Sequence, residues 1–190
     1  MKYIIILAIV INIFAIDFER IEYNTLLEVT PSPATVIDTS DTIIIEPEFS
    51  RYVLTFNIPE EILDTANRIH DARLFMRVEE GELISLEVSD SMPIMAYCIP
   101  IVDIPVGTPT WGWLESSYNL DYARFGIADI DSGLIMFDIT RMLESVSNGD
   151  IETFGGLAII PAKGSPPFGI REDRDISIRI KHRKMTALTE

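Results

Sequence analysis

Residues 51–58 read RYVLTFNI, and this stretch decides the fold class. Its apolar side chains Tyr52, Leu54, Phe56 and Ile58 come at every second position. Successive side chains of a strand point to opposite faces of a sheet, so this period predicts a strand with one buried face. The alternation recurs in three further segments: residues 72–78, 84–88 and 176–180. Four segments of this kind indicate a protein built from strands.

Three other apolar runs have the length of strands but no alternation. They occupy residues 42–46, 134–139 and 157–160. Such runs are typical of strands that are covered on both faces or that lie at the centre of a sandwich. Gly, Pro, Asn and Asp separate the runs, as expected at turns. The sequence therefore predicts an all-β fold, an antiparallel β-sandwich of jelly-roll or Greek-key type with one short helix.

The single helix is predicted just after the second of these runs. Ile139, Met142, Leu143 and Val146 follow helical spacing, with Asp138 or Thr140 as the candidate cap of the N-terminus and Gly149 as the stop. Pro59 is suited to starting one further helical turn. We expect loops over residues 105–122 and 162–175.

The front of the chain has the layout of a secretory signal. Lys2 precedes an apolar run, and the charged Asp17 follows it. The run is short for a membrane span, which needs roughly 20 apolar residues. Residues 1–15 are therefore predicted to be a signal peptide cleaved after Ala15, with an uncleaved anchor as the alternative. Residues 16–190 are predicted to form a single β-sandwich domain that is secreted, extracellular or in the cell envelope, with membrane contact only through the signal or anchor.

Composition excludes several classes of function. Lys and Arg number 15 against 30 for Asp and Glu, a formal net charge of -15, which opposes binding to nucleic acid. Cys98 is the one cysteine and His70 and His182 are the two histidines, too few for a disulfide framework or a Cys/His zinc site. We expect Cys98 to be a small buried apolar residue and both histidines to lie at the surface.

One aromatic segment is the main candidate for a binding site. Sugar-binding modules use exposed aromatic rings against the apolar face of a pyranose, with a few fixed polar groups. The candidate ligand-binding residues are Trp111, Trp113, Tyr118, Tyr122 and Arg124. The alternative is that Trp111 or Trp113 is a buried plug that closes the sandwich, since large aromatic rings commonly anchor loops.

Acidic residues suggest structural calcium as the one candidate cofactor. Calcium binds several oxygen ligands, and the candidate ligands are Asp129, Asp131 and Asp138. Acidic residues also cluster at positions 38–41 and 172–175. The alternative is a solvated acidic face, because a chain with twice as many acids as bases produces such clusters by chance.

The order of segments resembles the DNRLRE domain family. In that family a strand of the form RxLLxFDLSxIP precedes an AxLxL strand, a loop tryptophan, an FDVT segment that opens a short helix, and a GxxL strand. Here residues 51–59, 72–78, 110–111, 137–140 and 155–159 carry the corresponding elements, and residues 176–180 would form the closing strand. Asn57 stands where the family often has Asp, and the hexapeptide that names the family is absent. The resemblance implies a secreted, non-catalytic β-sandwich, in some members a carbohydrate-binding module.

Three classes of function follow from these patterns. The first is a secreted or cell-surface non-catalytic module, structural or carbohydrate-binding, with polysaccharide or other surface proteins as partners. The second is an assembly or adhesion subunit that pairs through the edges of its sheets. The third, a glycan-active hydrolase, is the weakest, because the chain has no nucleophile elbow, no zinc-protease motif and no phosphate loop.

Overall fold

The computed structural model describes residues 16–29, 35–36, 43–45, 51–80, 93–103, 109–129, 131–166, 168–170 and 176–184. The described strands are β1 Asp17–Val29, β2 Thr35–Val36, β3 Ile43–Ile45, β4 Arg51–Phe56, β5 Asn67–Glu80, β6 Met95–Ile101, β7 Arg124–Ile127, β8 Leu134–Asp138, β9 Gly156–Pro161, β10 Phe168–Ile170 and β11 Ser177–Lys184. The described helices are α1 Glu60–Leu63, α2 Trp111–Ser116, α3 Thr140–Ser147 and a 3-10 turn at Leu120–Tyr122. The predicted leader, residues 1–15, lies outside the described residues.

The strands pair antiparallel throughout the described part of the chain, which confirms the prediction of an antiparallel all-β protein. Eight of them follow the order β8-β5-β11-β1-β4-β9-β6-β7, and β7 contacts β8 so that the sheet nearly closes on itself. Strand β2 pairs with β1, and β10 lies between β5 and β3.

Strand β1 joins the two parts of this sheet. Its first half, through Glu22, pairs with β11, and its second half, from Tyr23, pairs with β4. The pairing register shifts between Tyr23 and Thr25. No strand was predicted here, because this register shift breaks the alternation of apolar residues that marks the other strands.

The main core fills the interior of the nearly closed sheet. The alternating side chains behave as predicted on β4, β5 and β11, where Leu54, Leu74 and Ile178 are completely buried. Strand β8 contributes Phe137, whose ring lies so close to β7 that a Cβ on Gly126 would be 2.7 Å from Phe137 Cε1. Glycine is therefore required at this position by close packing.

The apolar runs differ in how they are covered. On β9, Leu157 belongs to the main core and Ala158 to a second cluster on the outer face, so the prediction of cover on both faces is confirmed. On β8 the same prediction is wrong, since Met136 is 42% exposed while Ile135 is buried. The outward side chains of β8 face solvent. Residues 43–45 form a strand, but their side chains are not among the described ones. The predicted strand at residues 84–88 lies outside the described residues.

Helix α3 confirms the predicted helix, and its start is supported by Asp138, one of the two candidate caps. The N-cap residue is Ile139, not Thr140, and the Asp138 carboxylate accepts hydrogen bonds from the Thr140 backbone N–H at 3.0 Å and from the Thr140 hydroxyl at 2.7 Å. At the other end Gly149 has φ +81° and its N–H bonds to Val146 O, while Asp150 N–H bonds to Ser145 O. This is a Schellman ending, which favours glycine at its left-handed position.

The remaining expectations are partly corrected. Helix α1 confirms the predicted turn, with Pro59 at its N-cap. The stretches predicted to be loops contain α2 and the 3-10 turn in one case and β10 in the other. Short elements of this size are held by tertiary contacts and carry little periodicity of their own. Among the described residues, no helix has the length and apolar character needed to cross a lipid bilayer.

Candidate functional site

Helix α2 covers the outer face of the sheet with a second apolar cluster. The cluster is formed by buried Val29, Val53, Ile101, Leu114 and Ala158. Leu114 comes from α2, and the others are the outward side chains of strands β1, β4, β6 and β9. Three of the predicted ligand-binding residues, Trp111, Trp113 and Tyr118, pack against this cluster while remaining partly exposed.

Arg51, at the start of β4, anchors α2 to the sheet. Its guanidinium lies 3.9 Å from the centre of the Trp111 ring and 5.9 Å from that of Tyr118. It also donates to Glu115 Oε1 at 3.2 Å and to the Tyr118 hydroxyl at 3.3 Å. The Trp111 indole N–H donates to the same Glu115 oxygen at 3.0 Å. Cation–π and charge-assisted contacts of this kind fix the position of α2.

These contacts give the two tryptophans different surroundings. Trp111 has the Arg51 guanidinium against its ring and its N–H bound by Glu115. The Trp113 backbone N–H donates a hydrogen bond to the Thr110 side chain, which caps α2. Burial raises the pKa of Tyr118, an effect that the neighbouring Arg51 opposes. Trp111 is therefore partly exposed and is also one of the residues through which α2 is attached to Arg51 on β4.

The other two predicted ligand-binding residues lie elsewhere. Tyr122 packs against the main core, not against the α2 cluster. Arg124 begins β7 and donates to Ala123 O at 2.9 Å. The structure therefore brings together Trp111, Trp113 and Tyr118 and separates Tyr122 and Arg124 from them.

A second pair of aromatic rings on the same outer face was missed from the sequence. Tyr97 on β6 is 41% exposed and Phe125 on β7 is 49% exposed. They are direct cross-strand partners, with ring centres 5.3 Å apart and ring planes tilted by 54°. Ile160, which packs against the α2 cluster, is the partner of Tyr97 on its other side. We call the four side chains Trp111, Trp113, Tyr97 and Phe125 the aromatic face.

The sequence contains a pattern for one member of this pair, Phe125, but the pattern does not show that its ring is exposed. The alternation in β7 places Phe125 and Ile127 on one face and Gly126 on the other. That pattern identifies a strand, but it does not say which face is covered. Only the packing of Phe137 against Gly126 assigns Phe125 to the outside.

The proposed calcium ligands are not gathered together. Asp129 is in the turn before β8, where Ser132 donates to Asp129 Oδ1 from its backbone at 2.9 Å and from its hydroxyl at 2.8 Å. Asp138 is at the far end of β8 and Asp131 is exposed in the turn. Hydrogen bonds from Ser132 and from Thr140 lower the pKa of Asp129 and of Asp138, respectively.

Within the described part of the chain, no three His, Cys, Asp or Glu side chains are close enough to hold a metal ion. The acidic positions 38–41 and 172–175 lie outside that part. The two hydrogen-bonded aspartates act within local structure: Asp129 closes the turn before β8 and Asp138 supports the start of α3.

The cysteine and histidines divide between confirmed and wrong predictions. Cys98 is buried, as predicted, and burial raises the pKa of its thiol far above the usual value. His70 is exposed, as predicted. His182 is only 9% exposed, so its predicted surface position is wrong. On β11 His182 continues the inward alternation of Ile178 and Ile180, and neither of its ring nitrogens has a hydrogen-bond partner.

No protein-family model matches this chain, and no curated protein sequence matches it significantly. The resemblance to the DNRLRE family therefore stays a prediction.

Proposed function

We propose that this protein is a non-catalytic carbohydrate-binding module that acts outside the cytoplasm, and that the aromatic face is its binding surface. The observation that carries this proposal is the set of partly exposed aromatic rings on one outer face of the sheet. Soluble proteins tend to bury large aromatic side chains, and a group of exposed ones is typical of a binding surface. Pyranose rings present apolar C–H faces that stack on such rings.

The anchoring of α2 supports the proposal. Binding is favoured when the groups that contact a ligand are already held in place, because less conformational entropy is lost. Arg51 and Glu115 hold Trp111, and the Thr110 cap fixes the first turn of the helix in which Trp113 lies. On the sheet itself, strand pairing holds Tyr97 and Phe125.

Titration with neutral polysaccharides tests this function. Intrinsic tryptophan fluorescence of the full chain is followed against plant, microbial and mucin polysaccharides without charged groups. We expect a saturable change that is lost in Trp113→Ala and weakened in Phe125→Ala. Leu120→Ala, which removes an exposed apolar side chain outside the aromatic face, is the matched control and should bind normally. A flat response of the unaltered protein to every polysaccharide would reject the proposal.

We also propose that the fold is a sandwich of jelly-roll type, as in the DNRLRE family. The division of β1 between β11 and β4 supports two strand groups that share one strand. Hydrogen exchange gives the test, because a sandwich leaves the facing edges of β7 and β8 without a continuous ladder. Strong protection of every amide in β7 would contradict the sandwich.

A second candidate function is an assembly or adhesion subunit. Strand β7 is favoured as its contact surface, because Phe125 and Ile127 are both exposed on a strand at the end of the sheet order. Exposed apolar strands of this kind pair with other chains. Light scattering should then show oligomers whose mass rises with concentration and that disappear in Ile127→Lys. A monomer at all concentrations would reject this candidate.

A further inference from the structure

Away from the aromatic face, a row of arginines crosses three neighbouring strands. Arg73 on β5 is the direct partner of Arg179 on β11, and Arg179 is the direct partner of Arg20 on β1. The adjacent residues Leu74, Ile178 and Ile180 are buried, so the arginines point outward. Lys181 and Arg77 lie on the same outer surface. We call Arg20, Arg73, Arg77, Arg179 and Lys181 the basic face.

This arrangement is unfavourable for folding by itself. Directly opposed side chains on an antiparallel pair have Cβ atoms roughly 4.5–5.5 Å apart, and like charges at that distance repel. Three carboxylates provide local compensation: Asp71 lies 2.9 Å from Arg73 Nε and 3.9 Å from Lys181 Nζ, and Glu22 lies 2.8 Å from Arg20 Nε. The third is Asp138 on β8, the direct cross-strand partner of Arg73. These ion pairs are substantially exposed and contribute little stability.

The basic face also departs from the composition of the chain. Acids outnumber bases two to one overall. In the described outward positions of residues 17–22, 71–77 and 177–181, together with Asp138 opposite Arg73, five bases stand against the three acids Glu22, Asp71 and Asp138. The face is thus a local reversal of the charge balance of the chain.

We propose that the basic face binds anionic polysaccharides through their carboxylate or sulfate groups. Guanidinium groups bind planar and tetrahedral oxyanions through paired hydrogen bonds. Neighbouring strands are about 4.8 Å apart, so the row repeats positive charge at intervals across three strands, and a polymer with repeated anionic groups can contact several of these charges at once. Arg179 lies 4.3 Å over the Phe75 ring, which holds its charge in place.

Two features favour a polysaccharide over nucleic acid. The net charge of -15 repels the dense phosphate charge of a duplex outside the immediate contact, whereas anionic sugars can be more sparsely charged. The basic face also carries Phe18 and Phe75, and Phe18 is more than half exposed, so it offers a ring for sugar stacking. The proposal concerns a different surface from the aromatic face and does not depend on neutral sugars binding there.

The experiment measures binding of the full chain to four probes by affinity electrophoresis at low salt. The probes are polygalacturonate, which carries carboxylates, dextran sulfate, neutral dextran and duplex DNA. The test variant is Arg73→Gln/Arg179→Gln. The matched control is Arg141→Gln/Lys163→Gln, which removes the same charge from exposed positions on α3 and in the turn after β9. Circular dichroism melting verifies that each variant folds.

We expect the test variant to bind at least one anionic polysaccharide about ten-fold more weakly, and the control to bind nearly as the unaltered protein does. Loss with polygalacturonate identifies carboxylate as the recognised group, and loss with dextran sulfate identifies sulfate. The melting temperature of the test variant should not fall, because the substitutions relieve repulsion. Equal weakening in both double variants, no binding to either anionic polysaccharide, or tighter binding to DNA would each overturn the proposal.

Discussion

An arginine contacts an aromatic ring at each of the two faces: Arg51 lies against Trp111 of the aromatic face, and Arg179 of the basic face lies against Phe75. Arg51 lies 3.9 Å from the centre of Trp111, and Arg179 lies 4.3 Å from the centre of Phe75. Helix α2 passes over Arg51, whose side chain is largely buried and bonded to Glu115 and Tyr118. Arg179 remains exposed on β11, a strand that lies between β5 and β1.

The comparison shows that a contact between an arginine and an aromatic ring can have two roles. Where a helix covers it, the contact holds that helix on the sheet, and where nothing covers it, the arginine is available at the surface. Losing the covered guanidinium removes a donor from the part-buried Tyr118 hydroxyl and leaves the Glu115 carboxylate with the Trp111 indole N–H as its remaining donor. An exposed guanidinium is solvated, so water can occupy its place when the side chain is removed. The predictions below use this difference, beginning with the interior that both faces share.

The largest effect is expected in that shared interior, for Phe137→Ala. The Phe137 ring is completely buried and packs against β7 at Gly126. Its removal leaves a cavity, and we expect a loss of about 3–5 kcal/mol in the free energy of unfolding. Urea unfolding gives the measurement, and binding at both faces should be lost at lower urea concentration.

Met136→Ala is the control for this change, since Met136 is its exposed neighbour on β8. It should alter the free energy of unfolding by less than about 0.5 kcal/mol. Similar losses in the free energy of unfolding for the two variants would show that Phe137 and Met136 do not lie on a buried and an exposed face of β8, respectively.

A smaller effect is expected from the two stacked arginines. Arg51→Ala removes a cation–π contact and two hydrogen bonds, and we expect a loss of about 1–2 kcal/mol together with a change in tryptophan fluorescence. Arg179→Ala should change the free energy of unfolding by no more than about 0.5 kcal/mol and leave the fluorescence unaltered. Thermal and urea unfolding measure both. Equal effects at the two positions would remove the distinction between the anchor and the surface.

The smallest effect concerns Asp138, which lies beside the basic face and supports the start of α3. Its pKa is lowered, mainly by hydrogen bonds from Thr140, so its carboxylate stabilises the fold above the ordinary Asp pKa of roughly 3.9 and loses this effect as pH falls through the lowered value. Asp138→Ala should lose about 0.5–1 kcal/mol at pH 7, a small amount because the side chain is exposed.

This difference between Asp138→Ala and the unaltered protein should shrink steadily as pH is lowered below 4. Asp131→Ala is the control, because Asp131 is exposed and is not part of the α3 cap. Urea unfolding at a series of pH values measures both variants. An unchanged difference at acidic pH would show that the carboxylate charge does not support the helix.

Much of the fold was predictable where a local pattern reports directly on burial. The alternation at residues 51–58 and 72–78 identified the strands and their inner faces, and the spacing around Met142 identified α3. The 13-residue β1 was missed because its register shift interrupts the alternation. Helix α2 was missed because six residues make too short a pattern, and its position depends on Arg51 from a distant strand.

The candidate site was predicted in part. Trp111, Trp113 and Tyr118 pack against one cluster, as their short sequence separation allows, and their role in binding stays a prediction. Tyr122 has the same short separation, but its ring turns toward the main core. The contribution of Tyr97 and Phe125 could not be predicted, because it depends on which strands are neighbours in the sheet.

The sequence by itself determined that this chain forms antiparallel strands, which apolar residues of β4, β5 and β11 face inward, and that the chain carries a net charge of -15. The tertiary structure alone decided that Arg20, Arg73 and Arg179 form one row and that aromatic rings far apart in the chain share a surface. Side-chain alternation is a property of each strand and is written in its own residues. Strand order and register depend on packing between distant segments, and no single segment contains that information.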